Sequence, residues 1–250
     1  MPKITFMGAG STVFARNVLG DCMMTPALRD SDIALFDIDI QRLKESEAML
    51  CNINKNSGGY ARITACTDRK KALEGADYVV NAIQVGGYDP CTITDFEIPK
   101  KYGLRQTIAD TLGIGGIFRA LRTIPVLFDF ARDIEEVCPD AWFLNYTNPM
   151  AMLTGAMQRY TGVKTVGLCH SVQVCAEGLL KGVGMEYDDT IQWKIAGINH
   201  MGWLLEITKD GKDLYPEIKE RSKKQGAPDW DRVRHEIMHT FGYYVTESSE

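Results

Sequence analysis

Cys169 and His200, 31 residues apart, are a thiol and an imidazole around which a reactive centre could form. A thiolate and a neutral imidazole can hold a catalytic cation while leaving positions open to water or substrate oxygens. The spacing is not that of a structural zinc finger, and on donor softness alone zinc would be expected ahead of manganese. On composition alone a buried thiol and a hydrogen-bonded histidine are the favoured reading, and it is the placement of the two residues at the strand-end crevice that brings the ligand reading level with it. His170 follows Cys169 directly, and Asn148, held by Pro149 in Asn145-Tyr146-Thr147-Asn148-Pro149, can present its amide to a bound hydroxyl. The glycine-rich stretch that opens on Asp110 could aim a carboxylate able to orient or deprotonate a neighbouring group. His235 and His239 have i, i+4 spacing but lack the glutamate pattern of a metalloprotease helix, and are read as structural.

A second chemistry is phosphate binding. Gly8-Ala9-Gly10-Ser11 ends a short apolar run, Ile4 to Gly8, and opens a helical pattern. Backbone N–H groups there, together with the helix N-terminus, can receive a pyrophosphate. Val13 occupies the place of the third glycine in the G-x-G-x-x-G pattern, so the fingerprint is incomplete. Asp37, 27 residues after Gly10 and at the tip of the next apolar run, supplies the missing weight. An acid there accepts bonds from ribose hydroxyls and disfavours a 2′-phosphate, which points to NAD.

These residues need a scaffold that delivers strand ends to one edge. Ile33–Phe36, Arg62–Cys66, Tyr78–Val85, Ala141–Leu144 and Thr165–Leu168 read as further strands. Helical stretches fall at 11–22, 40–54, 115–138 and 150–160, with Ser11 expected to cap the first, a short helical link at 70–73, and a loop after Gly86, Gly87 and Pro90. Alternation of this kind requires parallel pairing and right-handed crossovers, hence a doubly wound, Rossmann-like α/β sheet with its crevice at the strand C-terminal ends. Beyond about residue 190 the pattern changes to strands of another layer, at 192–198 and 204–208, and a charged helix at 217–224. The expected organisation is a dinucleotide-binding domain at 1–170 and the beginning of an α+β substrate and metal domain at 171–250, with Phe241–Glu250 read as ending in mid-element.

Composition sets the outer limits. With 28 Lys and Arg against 33 Asp and Glu, the chain carries a net charge of −5 and no basic stripe, so neither nucleic acid nor an anionic membrane is an expected partner. No run of apolar residues is long enough for a bilayer span, and no signal-peptide core follows Met1. Seven cysteines at irregular spacings argue for reduced thiols and a cytoplasmic setting.

The order of Gly8-Ala9-Gly10-Ser11, Asp37-Ile38-Asp39, Gln84-Val85-Gly86-Gly87-Tyr88, Thr107 to Gly113, Asn145 to Met152, Gly167-Leu168-Cys169-His170-Ser171-Val172-Gln173, Gly197-Ile198-Asn199-His200-Met201 and Gly242 to Glu250 resembles family 4 glycoside hydrolases. Within that family the Cys-His-Ser-Val form looks like the α-galactosidases. The resemblance implies a lactate/malate dehydrogenase-like fold and a hydrolysis outside the two-carboxylate scheme. NAD oxidises C3 of the sugar, a C2 proton is removed, the aglycone is eliminated, water adds and the hydride returns. It further implies Cys169 and His200 as ligands of Mn²⁺, in preference to zinc, and Asn148 as a sugar contact. His170 would be the general acid, Asp110 would raise the basicity of a catalytic tyrosine, and Gly8, Gly10, Ser11 and Asp37 would hold NAD. The tyrosine base and an arginine are implied in a segment following Glu250. The substrate would be a small glycoside, unphosphorylated because Tyr88–Pro99 lacks a Lys/Arg cluster, and the assembly a homodimer or homotetramer. α-Glucosidase and α-galacturonidase or α-glucuronidase are alternative specificities. The rival classes are a 2-hydroxyacid dehydrogenase and a non-catalytic NAD sensor.

Overall fold

The computed structural model describes residues 1–106 and 111–247, and the chain divides into two compact units, Met1–Leu168 and Cys169–Glu250. In the first unit, β1 (Lys3–Met7) leads through the Gly8–Ser11 turn into α1 (Thr12–Met24). Then follow β2 (Asp32–Phe36), α2 (Ile40–Asn56), β3 (Arg62–Cys66), α3 (Arg69–Leu73) and β4 (Tyr78–Asn81). The unit closes with α4 (Ile93–Lys100), α5 (Gly113–Val137), β5 (Trp142–Asn145), α6 (Met150–Tyr160) and β6 (Lys164–Gly167).

The six strands pair in parallel in the order β3-β2-β1-β4-β5-β6. This is the doubly wound order in which the connection reverses between β1 and β4, opening a crevice at the carboxyl ends of those strands. Their burial follows from that layout: Phe6, Leu35, Val79 and Phe143 are sealed on both faces by helices, as parallel sheets require. Two apolar clusters flank the sheet. One gathers Leu127, Phe130, Ile134 and Leu153 against Val79 and Phe143, and the other gathers Leu19, Leu43 and Leu50 against Phe6 and Leu35.

Two local expectations change. Ser11 does occupy the N-cap of α1, but its side chain makes no capping bond; its backbone sits at ψ 78°, and the residue lines a cavity instead. The segment after Gly86 is no plain loop. A wide helical turn, Gly87–Thr92, runs into α4, which is clamped from α5: Arg122 Nη2 and Nη1 donate to the buried Asp95 carboxylate at 2.6 and 3.2 Å, and Arg122 Nε donates to Val85 O at 3.1 Å. Pro90 and Pro99 weaken any local helix signal, whereas this tertiary clamp supplies what the short helix lacks.

In the second unit, α7 (His170–Gly182) precedes an antiparallel sheet of β7 (Ile191–Ile198), β8 (Met201–Lys209), β9 (Lys212–Asp213) and β10 (Tyr244–Val245), with α8 (Tyr215–Gln225) and α9 (Arg232–Phe241) inserted before the last strand. β8 is the central strand, flanked by β7 and β10. Leu179, Leu180, Leu204, Ile207, Ile218, Met238 and Tyr244 form its own core. Among the described residues no helix is long and apolar enough to cross a membrane.

Candidate active site

In the first unit, the turn after β1 is forced by contact. Gly8 sits at φ +84°, and its N–H, like that of Ala9, donates to Phe36 O at the end of β2 (3.0 and 2.9 Å). A Cβ on Gly8 would stand 2.8 Å from Ala82 O, so only glycine lets the turn pass under β4. A Cβ on Gly10 would fill the space beside the Asp37 carboxylate, at 2.8 Å from Oδ2. Asp37 accepts from Gly10 N–H (2.7 Å) and Asp39 N–H (2.9 Å), while Asp39 caps α2 by accepting from Gln41 and Arg42 N–H. The two aspartates, two positions apart in the sequence, thus do separate jobs: Asp39 starts the helix and Asp37 faces the glycine turn.

A cavity of about 720 Å³ lies over these strand ends, large enough for a small cofactor. Gly8, Gly10, Ser11, Asp37 and Asn148 all line it, as do Arg42 and Arg69, which sequence reasoning passed over. Asn148 is carried by a loop that is fixed from below. Asn81 Nδ2, at the end of β4, donates to Asn145 Oδ1 (2.9 Å) and Thr147 Oγ1 (3.1 Å), and Thr147 Oγ1 donates to Ile83 O at 3.0 Å. Asn81, Asn145 and Thr147 are buried, so this polar network sets the loop's position at low dielectric. Asp110 lies outside the described residues.

The second unit begins with Cys169, the N-cap residue of α7, and His170, the first residue of that helix, which is exposed. His200 stands on a two-residue hairpin, Asn199-His200, between β7 and β8; Ile198 pairs with Met201, and Gly197 with Gly202. The hairpin holds His200 at φ 60°, a left-handed conformation that costs a non-glycine residue about 1–2 kcal/mol. Strain of this kind is retained where the surroundings impose it, commonly at functional sites. Gly197, at φ +136°, has Met201 O where a Cβ would be, so it makes the tight crossing possible.

Cys169 and His200 come together. Burial, the largest single influence, pushes the Cys169 thiol up; hydrogen bonds with His200 and Ser171 and the charge of His200 outweigh it and bring the thiol down to about 7. Cys175, six residues after Cys169 on α7 and buried, is instead pushed up to about 12 by desolvation. Ser171 Oγ lies 3.3 Å from Cys169 Sγ and donates to Glu247 Oε1, which lies 4.0 Å from His200 Nε2. Ser171 and Glu247 were not singled out as site residues, although both fall inside the two motifs that flank them in sequence. Among the described residues no three His, Cys, Asp or Glu side chains are arranged to enclose a metal ion, so Cys169 and His200 form an open, two-donor pair. An ionisable thiol beside an imidazole suits a divalent cation that keeps positions free for other ligands. His235 and His239 are structural: Ser222 Oγ lies 2.7 Å from His235 Nδ1 and 3.0 Å from His239 Nε2.

The family model for family 4 glycosyl hydrolases matches residues 3–185, and that for the family's C-terminal domain matches residues 195–250. An alpha-galactosidase of Bacillus subtilis is 67% identical over 100% of this chain and 58% of its own length, and one of Rhizobium meliloti is 38% identical over 99% of this chain and 51% of its own. The chain therefore spans somewhat more than half the length of these relatives. A 6-phospho-alpha-glucosidase from gut microorganisms, solved with NAD and Mn²⁺, superposes with a TM-score of 0.84 at 21% identity, covering 98% of this chain and 58% of that one, and so shares its fold. Glycine turn, Asp37, Asn148 loop and Cys169–His200 pair occur in the order that the sequence motifs required, and the chain belongs to family 4 of the glycosyl hydrolases.

Proposed function

We propose that the protein hydrolyses unphosphorylated α-galactosides with NAD and Mn²⁺ as cofactors, in the reducing cytoplasm, as a homodimer or homotetramer. The open thiol–imidazole pair in the second unit carries this reading, because a dehydrogenase of the 2-hydroxyacid type has no use for a cation site. The alpha-galactosidase at 67% identity supports the sugar, and free thiols at all seven cysteines support the compartment. When bound, NAD supplies a hydride acceptor that is regenerated in the cycle, and the divalent ion supplies a Lewis acid for a carbonyl oxygen.

This chain's residues have separable roles. The Gly8–Ser11 turn offers backbone N–H groups and a helix start to a pyrophosphate, with room that a Cβ at Gly10 would remove. Asp37 accepts from ribose hydroxyls, exchanging its bond with Gly10 N–H for one with the ligand. Asn148 gives its amide to a sugar hydroxyl. Cys169 Sγ and His200 hold the cation. His170, exposed on the first turn of α7, is the proton donor to the departing oxygen, and Asp110 raises the basicity of the residue that removes the C2 proton.

The test is hydrolysis of a nitrophenyl α-galactoside with NAD⁺, Mn²⁺ and thiol. Phenol release without build-up of NADH is expected, and in heavy water the released sugar carries deuterium at C2. Steady NADH formation from a 2-hydroxy acid, or no phenol under any of these conditions, would overturn the reading in favour of a dehydrogenase or an NAD sensor respectively. Light scattering checks the oligomer.

A further inference from the structure

Cys169 and His200 come from segments with no local reason to meet, so something must fix their separation. Ser171, 8% exposed in the first turn of α7, sits two residues beyond Cys169 with its Oγ 3.3 Å from the sulfur. Its hydroxyl donates to Glu247 Oε1, and that same carboxylate oxygen stands 4.0 Å from His200 Nε2. One oxygen atom therefore faces both halves of the pair, one through a hydroxyl and the other across a short gap.

Glu247 is itself held in register with the His200 hairpin. Thr246 N–H donates to Gly202 O (2.9 Å), Gly202 N–H donates to Thr246 Oγ1 (3.2 Å), and Arg234 Nη1 donates to Thr246 O (3.3 Å). Gly202 lies two residues beyond His200, so this pairing fixes the carboxylate against the imidazole through backbone rather than through long side chains. Arg234 is in turn anchored by the fully buried Asp231, which also accepts from Tyr244 Oη at 2.6 Å.

We propose that Ser171 and Glu247 form a hydrogen-bonded strut that positions both Cys169 and His200 for a divalent cation without ligating it themselves. The inference rests on the reading of Cys169 and His200 as the ligands. Partners that orient first ligands commonly contribute roughly 10- to 100-fold to metal affinity, through ligand orientation rather than fold stability.

The experiment is a Mn²⁺ titration of the metal-free protein, followed by the electron paramagnetic resonance signal of free aquated Mn²⁺, with thermal denaturation of each variant alongside. Ser171→Ala and Glu247→Gln should each weaken Mn²⁺ binding by roughly 10- to 100-fold while the metal-free protein melts as wild type does. Ser171→Thr, which keeps the hydroxyl, should bind far more tightly than Ser171→Ala. If Ser171→Ala and Glu247→Gln bind Mn²⁺ as wild type does while Cys169→Ser and His200→Ala lose it, the strut is wrong and the ligand assignment stands. If affinity falls only in step with a lowered melting temperature, and Ser171→Thr fails to restore it, the pair merely packs and the strut is likewise overturned. If Cys169→Ser and His200→Ala bind as wild type does, the ligand assignment fails and the strut with it.

Discussion

Gly8→Ala and Gly10→Ala, two residues apart in one turn, should fail in different ways. At Gly8 the backbone is left-handed, φ +84°, which costs an alanine about 1–2 kcal/mol. The new Cβ would also meet Ala82 O at 2.8 Å, Ala82 C at 2.9 Å and Ile83 Cα at 3.0 Å. All three are backbone atoms just past β4, which pairs with both β1 and β5 and has no freedom to withdraw. Overpacking of this kind adds about 1–3 kcal/mol, and the stiffer unfolded chain returns about 0.4–1 kcal/mol. The net loss is about 2–4 kcal/mol, which at this size lowers the melting temperature by about 5–15 °C.

At Gly10 no positive φ is required, and the obstacles are side-chain atoms: Asp37 Oδ2 at 2.8 Å and Arg42 Cβ at 3.0 Å, the second of which must give by a few tenths of an ångström. Asp37 can swing aside at the loss of one bond from Gly10 N–H, about 1–3 kcal/mol before the unfolded-state gain. Gly10→Ala should therefore melt well above Gly8→Ala but bind NAD⁺ at least about tenfold more weakly, a loss of about 1.4 kcal/mol. Thermal unfolding followed by circular dichroism measures the first quantity and calorimetric titration the second. A Gly8→Ala protein with the wild-type midpoint, or a Gly10→Ala protein less stable than Gly8→Ala, would refute this account of the turn.

Alkylation of Cys169 by iodoacetamide, read by mass spectrometry on metal-free protein, should reach half its limiting rate near pH 7, while Cys175 stays unlabelled; a midpoint near 9 would show that His200 and Ser171 do not act on the thiol. Because the folded-state value lies below the ordinary thiol value of 9.0, the stabilisation from this thiolate is fully present above pH 9 and disappears as pH falls through about 7. Arg122→Ala leaves Asp95, 3% exposed, without its partner and should cost about 3–5 kcal/mol; pairing it with Asp95→Leu should recover most of the loss in a urea titration, and a double variant no better than the single would place the cost elsewhere.

What could be read from sequence was what the chain settles locally. The strand–turn–helix around Gly8 and the position of Asp37 follow from apolar runs and turn residues within short windows, and the alternation of such units dictates a parallel sheet. α4 was lost because Pro90 and Pro99 signal a loop and the compensating partner, Arg122, lies 27 residues away from Asp95. The His200 turn was read as longer than it is, since nothing local shows that β8 starts as early as Met201. Cys169 and His200 were legible as candidate donors from their chemistry, and the order of motifs implied that they act as a pair, while Ser171 and Glu247, 76 residues apart, meet only because β10 pairs with β8. Ser11 looked like a cap because cap residues and cavity-lining hydroxyls share the same chemistry.

The strand order also has a consequence for synthesis on the ribosome. β1 is made first, yet it ends between β2 and β4, and β4 must then wait for β5 on its other side. Sixty residues separate Asn81 from Trp142. At roughly 5–20 residues per second, the Val79–Val80 edge of a nascent half-sheet stands open for about 3–12 s before its partner leaves the exit tunnel. An apolar strand edge exposed for that long invites pairing with other chains. The helices α4 and α5, made during this interval, are the first elements able to shield it, so slowing translation between them and β5 would lengthen the period of greatest aggregation risk.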